Sequence, residues 1–254
     1  MSRRTGQGSR ALLHDEVRPP WRQDVVSWLL GSPAPGERLS VLDLGAGTGL
    51  GSRTIAALGH TVTAMDTAED MLSVLEAASL GLPPDIAGRI TARLGSAERL
   101  PLDDRTFDAV VCLQAWHWVD PASAVAECDR VLVPGGMVGL AWHTWDRSKA
   151  WVRDLAAIVE PGGAARDQTA SVPSAFAGRG GFERRRFPFD YELNVDQLVQ
   201  LASSWTFVSQ RPERQAILAE VRLLGAKAAS PHTGLLAFPH VTDCYRLQRR
   251  ATDR

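Results

Sequence analysis

The chain has little cysteine, tyrosine or lysine, and no long apolar run. Its three cysteines, Cys112, Cys128 and Cys244, lie far apart, without a C-x-x-C pair or a local Cys/His cluster. That spacing gives no disulfide framework and no metal site built from neighbouring ligands, so no metal is expected. Cys112 and Cys128 stand at apolar positions, as small buried thiols do, which fits a reducing compartment. No window approaches a membrane span, and only Ala11-Leu12-Leu13 follows Arg3-Arg4 where a signal peptide needs a longer apolar core. A soluble, cytoplasmic protein with no membrane partner is expected. A formal net charge of −1 over 254 residues provides no overall field for nucleic acid, and no nucleic-acid partner is expected. Lys149 and Lys227 are the only lysines, so the basic residues are nearly all arginine.

What the chain does have is a strand, a glycine loop and a helix start. Val41-Leu42-Asp43-Leu44 is an apolar run carrying one acid, and Gly45, Gly47 and Gly49 follow at alternate positions. Such a crossing, at the carboxyl end of a parallel strand, is where open α/β sheets bind nucleotide-like ligands. A dinucleotide fingerprint needs glycines at 45, 47 and 50, but position 50 is leucine, which weakens an NAD reading.

The pattern then alternates between strand and helix. A helix is predicted over Leu50 to Leu58, ending at Gly59, and a second strand over Thr61 to Met65 with Asp66 at its tip. An acid about 20 residues beyond the loop is placed to accept from both ribose hydroxyls; the alternative is a helix cap with Thr67 and Asp70. Further strands are predicted at Arg89 to Leu94, Ala109 to Leu113 and Met137 to Trp142, the last after a Leu132-Val133-Pro134-Gly135-Gly136 turn. A helix is expected over Trp151 to Val159 and a loop from 162 to 174. Arg184 to Leu193 alternates as a sixth strand, and Pro188 in its middle argues for a sheet edge. Asn194 is positioned to cap a helix reaching about Ala202, Pro212 to open another, and Leu235 to Leu247 reads as a seventh strand.

Asp43, Gly45, Gly47 and Gly49 match a D-x-G-x-G-x-G motif position for position. With Leu100-Pro101 to Phe107-Asp108 and the L-x-P-G-G turn, the chain resembles the class I S-adenosylmethionine-dependent methyltransferases of small-molecule type. The resemblance is strong over about residues 36 to 145 and looser over 180 to 250. It implies an α/β fold with a Rossmann-like, seven-stranded, mostly parallel sheet, an antiparallel final strand and helices on both faces. Residues 1–35 would form an N-terminal helical arm or lid, Arg18 to Trp21 resembling an R-P-x-Y segment that lies over the cofactor. A surface arm with a core-facing Trp21 is the alternative. Residues 36–254 would form the methyltransferase domain, with a cofactor half at 36–145 and the substrate, lid and last strands at 146–254.

On this resemblance S-adenosylmethionine is the cofactor and S-adenosylhomocysteine the product. Asp43, Gly45, Ala46, Gly47 and Gly49 surround the methionine end, Asp66 and Thr67 hold the ribose, and Ser96, Ala97 and Glu98 flank adenine. Gln114 follows the fourth strand beside the reactive end. Ser96 stands where relatives often carry an acid, and a hydroxyl accepts the adenine amino group more weakly.

His117 and His143 are candidate bases, since imidazole titrates near neutral pH; packing or hydrogen bonding alone is the alternative for each. Trp21, Trp116, Trp118, Trp142 and Trp205 are candidate substrate walls or, equally, core residues. Arg184, Arg185 and Arg186 alternate faces on a strand and read as a solvated edge. The [N/D]-P-P-[Y/F/W] sequence of amino-methylating nucleic-acid enzymes is absent, and no target-recognition domain is apparent. The expected activity is methyl transfer to O, N or C of a small, aromatic or apolar molecule, such as a specialised metabolite. Two alternatives remain open: a cofactor used without transfer, in cyclisation or rearrangement, and a non-catalytic cofactor-binding protein.

Overall fold

Seven strands form one sheet in the order β3-β2-β1-β4-β5-β7-β6, with β7 antiparallel and helices around it. The strands are β1 Ser40–Leu44, β2 Thr61–Asp66, β3 Ile90–Leu94, β4 Phe107–Leu113, β5 Leu132–Trp145, β6 Glu183–Asn194 and β7 Leu235–Gln248. This is a computed structural model, and it describes residues 11–160, 176, 179 and 181–249. The loop expected at 162–174 lies outside the described residues. Among the described residues no helix is long and apolar enough to cross a membrane.

The chain divides into two compact units: a first of residues 20–142, 168–186 and 243–254, and a second of residues 1–19, 143–167 and 187–242.

In the first unit β1 pairs in parallel with β2 and with β4, which leaves Val41, Leu42, Asp43 and Leu44 buried. A parallel strand covered on both faces reads as a continuous apolar run, and this one does. Leu42, Leu44, Met65, Val110, Trp116, Val125, Leu140 and Trp142 belong to its core. The three cysteines are buried and form no disulfide with one another, and burial pushes the Cys128 thiol up to about 12.

The L-x-P-G-G turn falls inside β5, which begins at Leu132 instead of Met137. The register jumps there, from Phe107 opposite Leu132 to Ala109 opposite Met137, so the turn survives as a bulge in a longer strand. Gly136 is required by close approach: an added Cβ would lie 3.0 Å from the Asp108 carbonyl oxygen. Arg184, Arg185 and Arg186 are exposed, and Arg184 also pairs with the nearly buried Asp243, Nε to Oδ1 at 2.8 Å, and covers the Tyr245 ring.

In the second unit the helices Ala150–Val159, Val195–Ser204 and Arg214–Ala228 surround a core that includes Leu155, Leu198, Leu201, Val221 and Phe238. Asn194 builds the expected cap as a full capping box: its side chain accepts from the Gln197 amide at 2.9 Å, and the Gln197 side chain accepts from the Asn194 amide at 2.8 Å. The last helix begins at Arg214, two residues beyond Pro212, because the Arg214 amide still closes a turn on the Arg211 carbonyl. Strand β6 is at the sheet edge, where Pro188 needs no ladder partner for its nitrogen.

Candidate functional site: a glycine loop between two carboxylates

At the carboxyl end of β1, Asp43 lies opposite Ala64 of β2 and Val111 of β4 and is 1% exposed. Burial pushes its carboxyl up to about 7, the Ser52 hydrogen bond opposes that rise, and the charge of Asp66 adds to it. The Ser52 hydroxyl donates to Oδ2 at 2.6 Å, whereas Oδ1 is buried with no hydrogen-bond partner. A buried acceptor with an open position calls for a donor, and none of the described side chains provides one.

The loop that follows has left-handed backbone at Gly45, Gly47 and Gly49, with φ of +67°, +56° and +84°. A Cβ at Gly45 would come within 2.4 Å of the Ala115 Cβ, and one at Gly49 within 2.5 Å of Leu75 Cγ. At Gly47 nothing lies within 4 Å, so the middle glycine faces open space. The Ala46 amide donates to the Met65 carbonyl at 2.9 Å, tying the loop to the end of β2.

Asp66 completes the frame. Its Oδ2 accepts from the Gly47 amide at 2.8 Å and its Oδ1 from the Ala68 amide at 2.9 Å. The cap of the helix Glu69–Ser79 is Ala68, so Asp66 orients the helix entry without itself being the cap. Each oxygen keeps a second lone pair for a hydroxyl. Thr67 beside it is exposed.

Beyond β3 the Gly95 amide donates to the Asp66 carbonyl at 3.0 Å, bringing Ser96, Ala97 and Glu98 to the same end of the sheet. The Ser96 hydroxyl donates to Glu98 Oε2, and Glu98 Oε1 accepts from the Asp120 amide at 2.9 Å. Those bonds, the Ser96 hydroxyl first, hold the Glu98 carboxyl below the usual range. Gln114, after β4, has left-handed backbone at φ 63°, and its amide donates to the Ala141 carbonyl at 2.8 Å. A non-glycine residue in that region is strained, and such strain concentrates at functional sites.

The methyltransferase-domain family matches residues 42–140, which contain every residue of this frame. An uncharacterised methyltransferase of Mycobacterium tuberculosis is 38% identical over 242 residues, 94% of this chain and 93% of that protein. The chain belongs to the class I S-adenosylmethionine-dependent methyltransferases. The ubiquinone biosynthesis O-methyltransferase of Alkalilimnicola ehrlichii is 38% identical over 133 residues, 52% of this chain and 51% of that protein. A solved structure from Anaeromyxobacter dehalogenans, assigned as a type II methyltransferase, has a TM-score of 0.66 at 23% identity. It covers 92% of this chain and 98% of its own, a likeness of fold.

In this methyltransferase the two candidate bases fall in different units. His117, in the first, sits in the short helical turn Trp116–Trp118, and the Trp142 Nε1 donates to its Nδ1 at 3.4 Å. Burial lowers its pKa. His143, in the second, pairs Nδ1 with the Thr242 hydroxyl at 3.0 Å. Burial, then the charges of His240 and Arg18, hold its pKa at about 3.

The tryptophans separate by exposure. Trp116 and Trp142 are fully buried, Trp116 against Phe176 at 5.3 Å between ring centres and Trp142 edge-on to Tyr245 at 6.1 Å. Trp21 is buried, and its carbonyl accepts from the Thr54 hydroxyl at 3.1 Å, fastening the segment to the helix Leu50–Ala57 that follows the glycine loop. Trp118 is 75% exposed beside His117. Trp205 is buried in the second unit between Trp145 and Phe207.

Sequence reading missed Ser52 and Thr48. Ser52 shares the buried face of its helix with Ile55 and Ala56, and a hydroxyl on an apolar stripe was the available signal. Thr48 Oγ1 is buried without a partner. Gly51 was missed too: a Cβ there would be 2.4 Å from Leu113 Cδ1, so the helix packs directly on β4.

Proposed function

We propose that the protein transfers the methyl group of S-adenosylmethionine to a small molecule, with the cofactor held at the carboxyl ends of β1, β2 and β4. The observation that carries this reading is the open glycine at 47 framed by two carboxylates, one of them with a buried, unpartnered oxygen. When bound, S-adenosylmethionine supplies an electrophilic methyl group on a sulfonium.

The chain's own residues bind and orient. Asp43 Oδ1 accepts from the ammonium of the methionine end, and ionisation of that carboxyl is favoured by the cation it meets. The free lone pairs of Asp66 accept from the ribose hydroxyls, and Ala46, Gly47 and Gly49 let the backbone approach closely. Ser96, Ala97 and Glu98 flank adenine; because the Ser96 hydroxyl is committed to Glu98, the carboxylate is the stronger acceptor there. Gln114 lines the reactive end, and Trp118 provides an exposed aromatic face for the acceptor.

The protein accelerates transfer chiefly by positioning. Because Nδ1 of His117 accepts from Trp142, the neutral ring carries its proton on Nε2, and His117 acts as a donor or spacer. His143, held at about 3, is a poor base at neutral pH. An oxygen acceptor is the first class to screen, supported by the O-methyl transfer named for the Alkalilimnicola relative.

The test is calorimetric titration with S-adenosylhomocysteine beside NAD, using Asp66→Ala as control, followed by acceptor screening that quantifies S-adenosylhomocysteine against methylated product. Micromolar binding lost in the variant, with one S-adenosylhomocysteine formed per methylated acceptor, supports the reading. Preference for NAD overturns it, and so does turnover without S-adenosylhomocysteine.

A further inference from the structure

In the second unit a half-buried cation, Arg18, has no counter-ion among the described residues. Arg18 follows the helical residues 11–17, and its Nε is buried with no hydrogen-bond partner. Among the described residues its side chain makes one bond, from Nη2 to the Ser204 carbonyl at 3.4 Å, the long end of the range. No described carboxylate forms an ion pair with it, whereas Arg130, Arg184 and Arg246 each reach one. A half-buried guanidinium with an open, buried Nε–H is completed by an anion that accepts from it.

Three of the chain's six histidines feel this charge: His14, His143 and His240. His14 precedes Arg18 by one helical turn, and its Nδ1 is also buried with no partner. His240 donates from Nδ1 to the Phe238 carbonyl at 2.8 Å, which leaves its Nε2 an acceptor. Phe189 joins the other two rings, 5.1 Å from His143 and 5.3 Å from His240. Tyr191, donating to the Val17 carbonyl at 3.2 Å, fixes the Arg18 segment against β6. The carboxylates felt in the cluster are Asp15 at His14 and Asp190 at His240.

One fixed cation, three neutral imidazoles and aromatic rings make a site for an anionic head on an organic body. The imidazoles add no competing charge and offer hydrogen bonds to hydroxyls or to the second oxygen. The guanidinium fork matches a carboxylate in two-point geometry. We propose that Arg18, with His14, His143 and His240, forms a binding site in the second unit for the carboxylate of a small organic acid. The site is independent of the cofactor frame; where it serves methyl transfer, carboxylated molecules are the acceptors to screen, a step that rests on the function proposed above.

The test is titration of the full chain, by calorimetry and by chemical-shift changes of the histidine rings, with benzoate, succinate and inorganic phosphate as probes. Saturable binding of a carboxylate is expected, with shifts at the His14, His143 and His240 rings, at least tenfold weaker in Arg18→Met and intermediate in Arg18→Lys. The melting temperature of Arg18→Met is expected to hold or rise, because a half-buried cation with no described ion-pair partner and an unsatisfied Nε has been removed. A clear fall would mark a structural arginine and overturn the proposal. His14→Phe provides a second reading, with the same weakening expected. Absence of saturable carboxylate binding, unchanged affinity in the variants, or tighter binding of phosphate each overturns it. Titration of the same wild-type sample with S-adenosylhomocysteine reads the cofactor site separately, so the two readings fail independently.

Discussion

The Ser52 hydroxyl holds Oδ2 of the buried Asp43 carboxylate at 2.6 Å and leaves Oδ1 without a partner. One oxygen is fixed and the other is kept for a ligand. With its carboxyl pushed up to about 7, Asp43 is partly protonated near neutral pH until a cation meets it. Binding of the ammonium-bearing S-adenosylhomocysteine should therefore release protons at and below pH 7, and affinity should rise as pH approaches 7 from below. Calorimetry in two buffers of different ionisation enthalpy measures the release. It should vanish in Asp43→Asn.

The glycines of the loop should separate by phenotype. Gly45→Ala drives a Cβ to 2.4 Å from the Ala115 Cβ, so it should lower the melting temperature clearly. Gly47→Ala meets nothing within 4 Å and carries only left-handed strain of about 1–2 kcal/mol, yet it fills the open face of the loop. Thermal melts and S-adenosylhomocysteine titrations of both should show the larger stability loss in Gly45→Ala and the larger affinity loss, relative to stability, in Gly47→Ala.

Asp66 carries two backbone amides as well as its proposed ribose contacts. Asp66→Ala should weaken S-adenosylhomocysteine binding by at least about tenfold, each hydrogen bond to a charged acceptor being worth about 1.5–3 kcal/mol. Asp66→Asn keeps one accepting oxygen, and its affinity should fall between the two. Equal affinity in all three proteins would remove Asp66 from the cofactor site.

Acid should destabilise the second unit through its histidines. His14 and His240 are held at about 4 and His143 at about 3, against an ordinary 6.5. The unfolded chain takes up protons below pH 6.5 while the folded chain refuses them, so stability falls as pH drops from 6.5 towards 4 and does not change from this source above 7. Asp43 acts in the opposite direction over about 3.8 to 7, one group against three. Thermal melts across pH should show the net fall, reduced in His240→Phe.

His117→Gln tests the base reading directly. With Nδ1 accepting from Trp142, its loss should cost less than about tenfold in kcat, whereas general-base catalysis is worth about 10²–10⁴. A loss in that larger range would restore His117 as the base.

Much of the glycine-loop frame was legible in the chain because its cause is local. An apolar run ending in Asp43, glycines at 45, 47 and 49, and an acid at 66 fix strand, turn and second strand tip through backbone sterics and the period of a buried parallel strand. Asn194 and Pro188 were readable for the same reason: a cap and an edge proline act on the backbone next to them. The L-x-P-G-G segment was legible as a turn, but only its pairing with β4 decided that it would be a bulge inside β5.

Burial and partnership required the tertiary structure. Nothing near Trp116, Trp142 or Trp205 in sequence indicates that they are interior while Trp118 is 75% exposed, because exposure depends on which element lands above each ring. The commitment of Ser96 to Glu98 and of His117 to Trp142 depends on side-chain geometry that spacing does not encode. The histidines felt by Arg18 come from residues 14, 143 and 240. Local sequence sets backbone conformation, but desolvation and field are sums over neighbours, and only the folded chain supplies the neighbours.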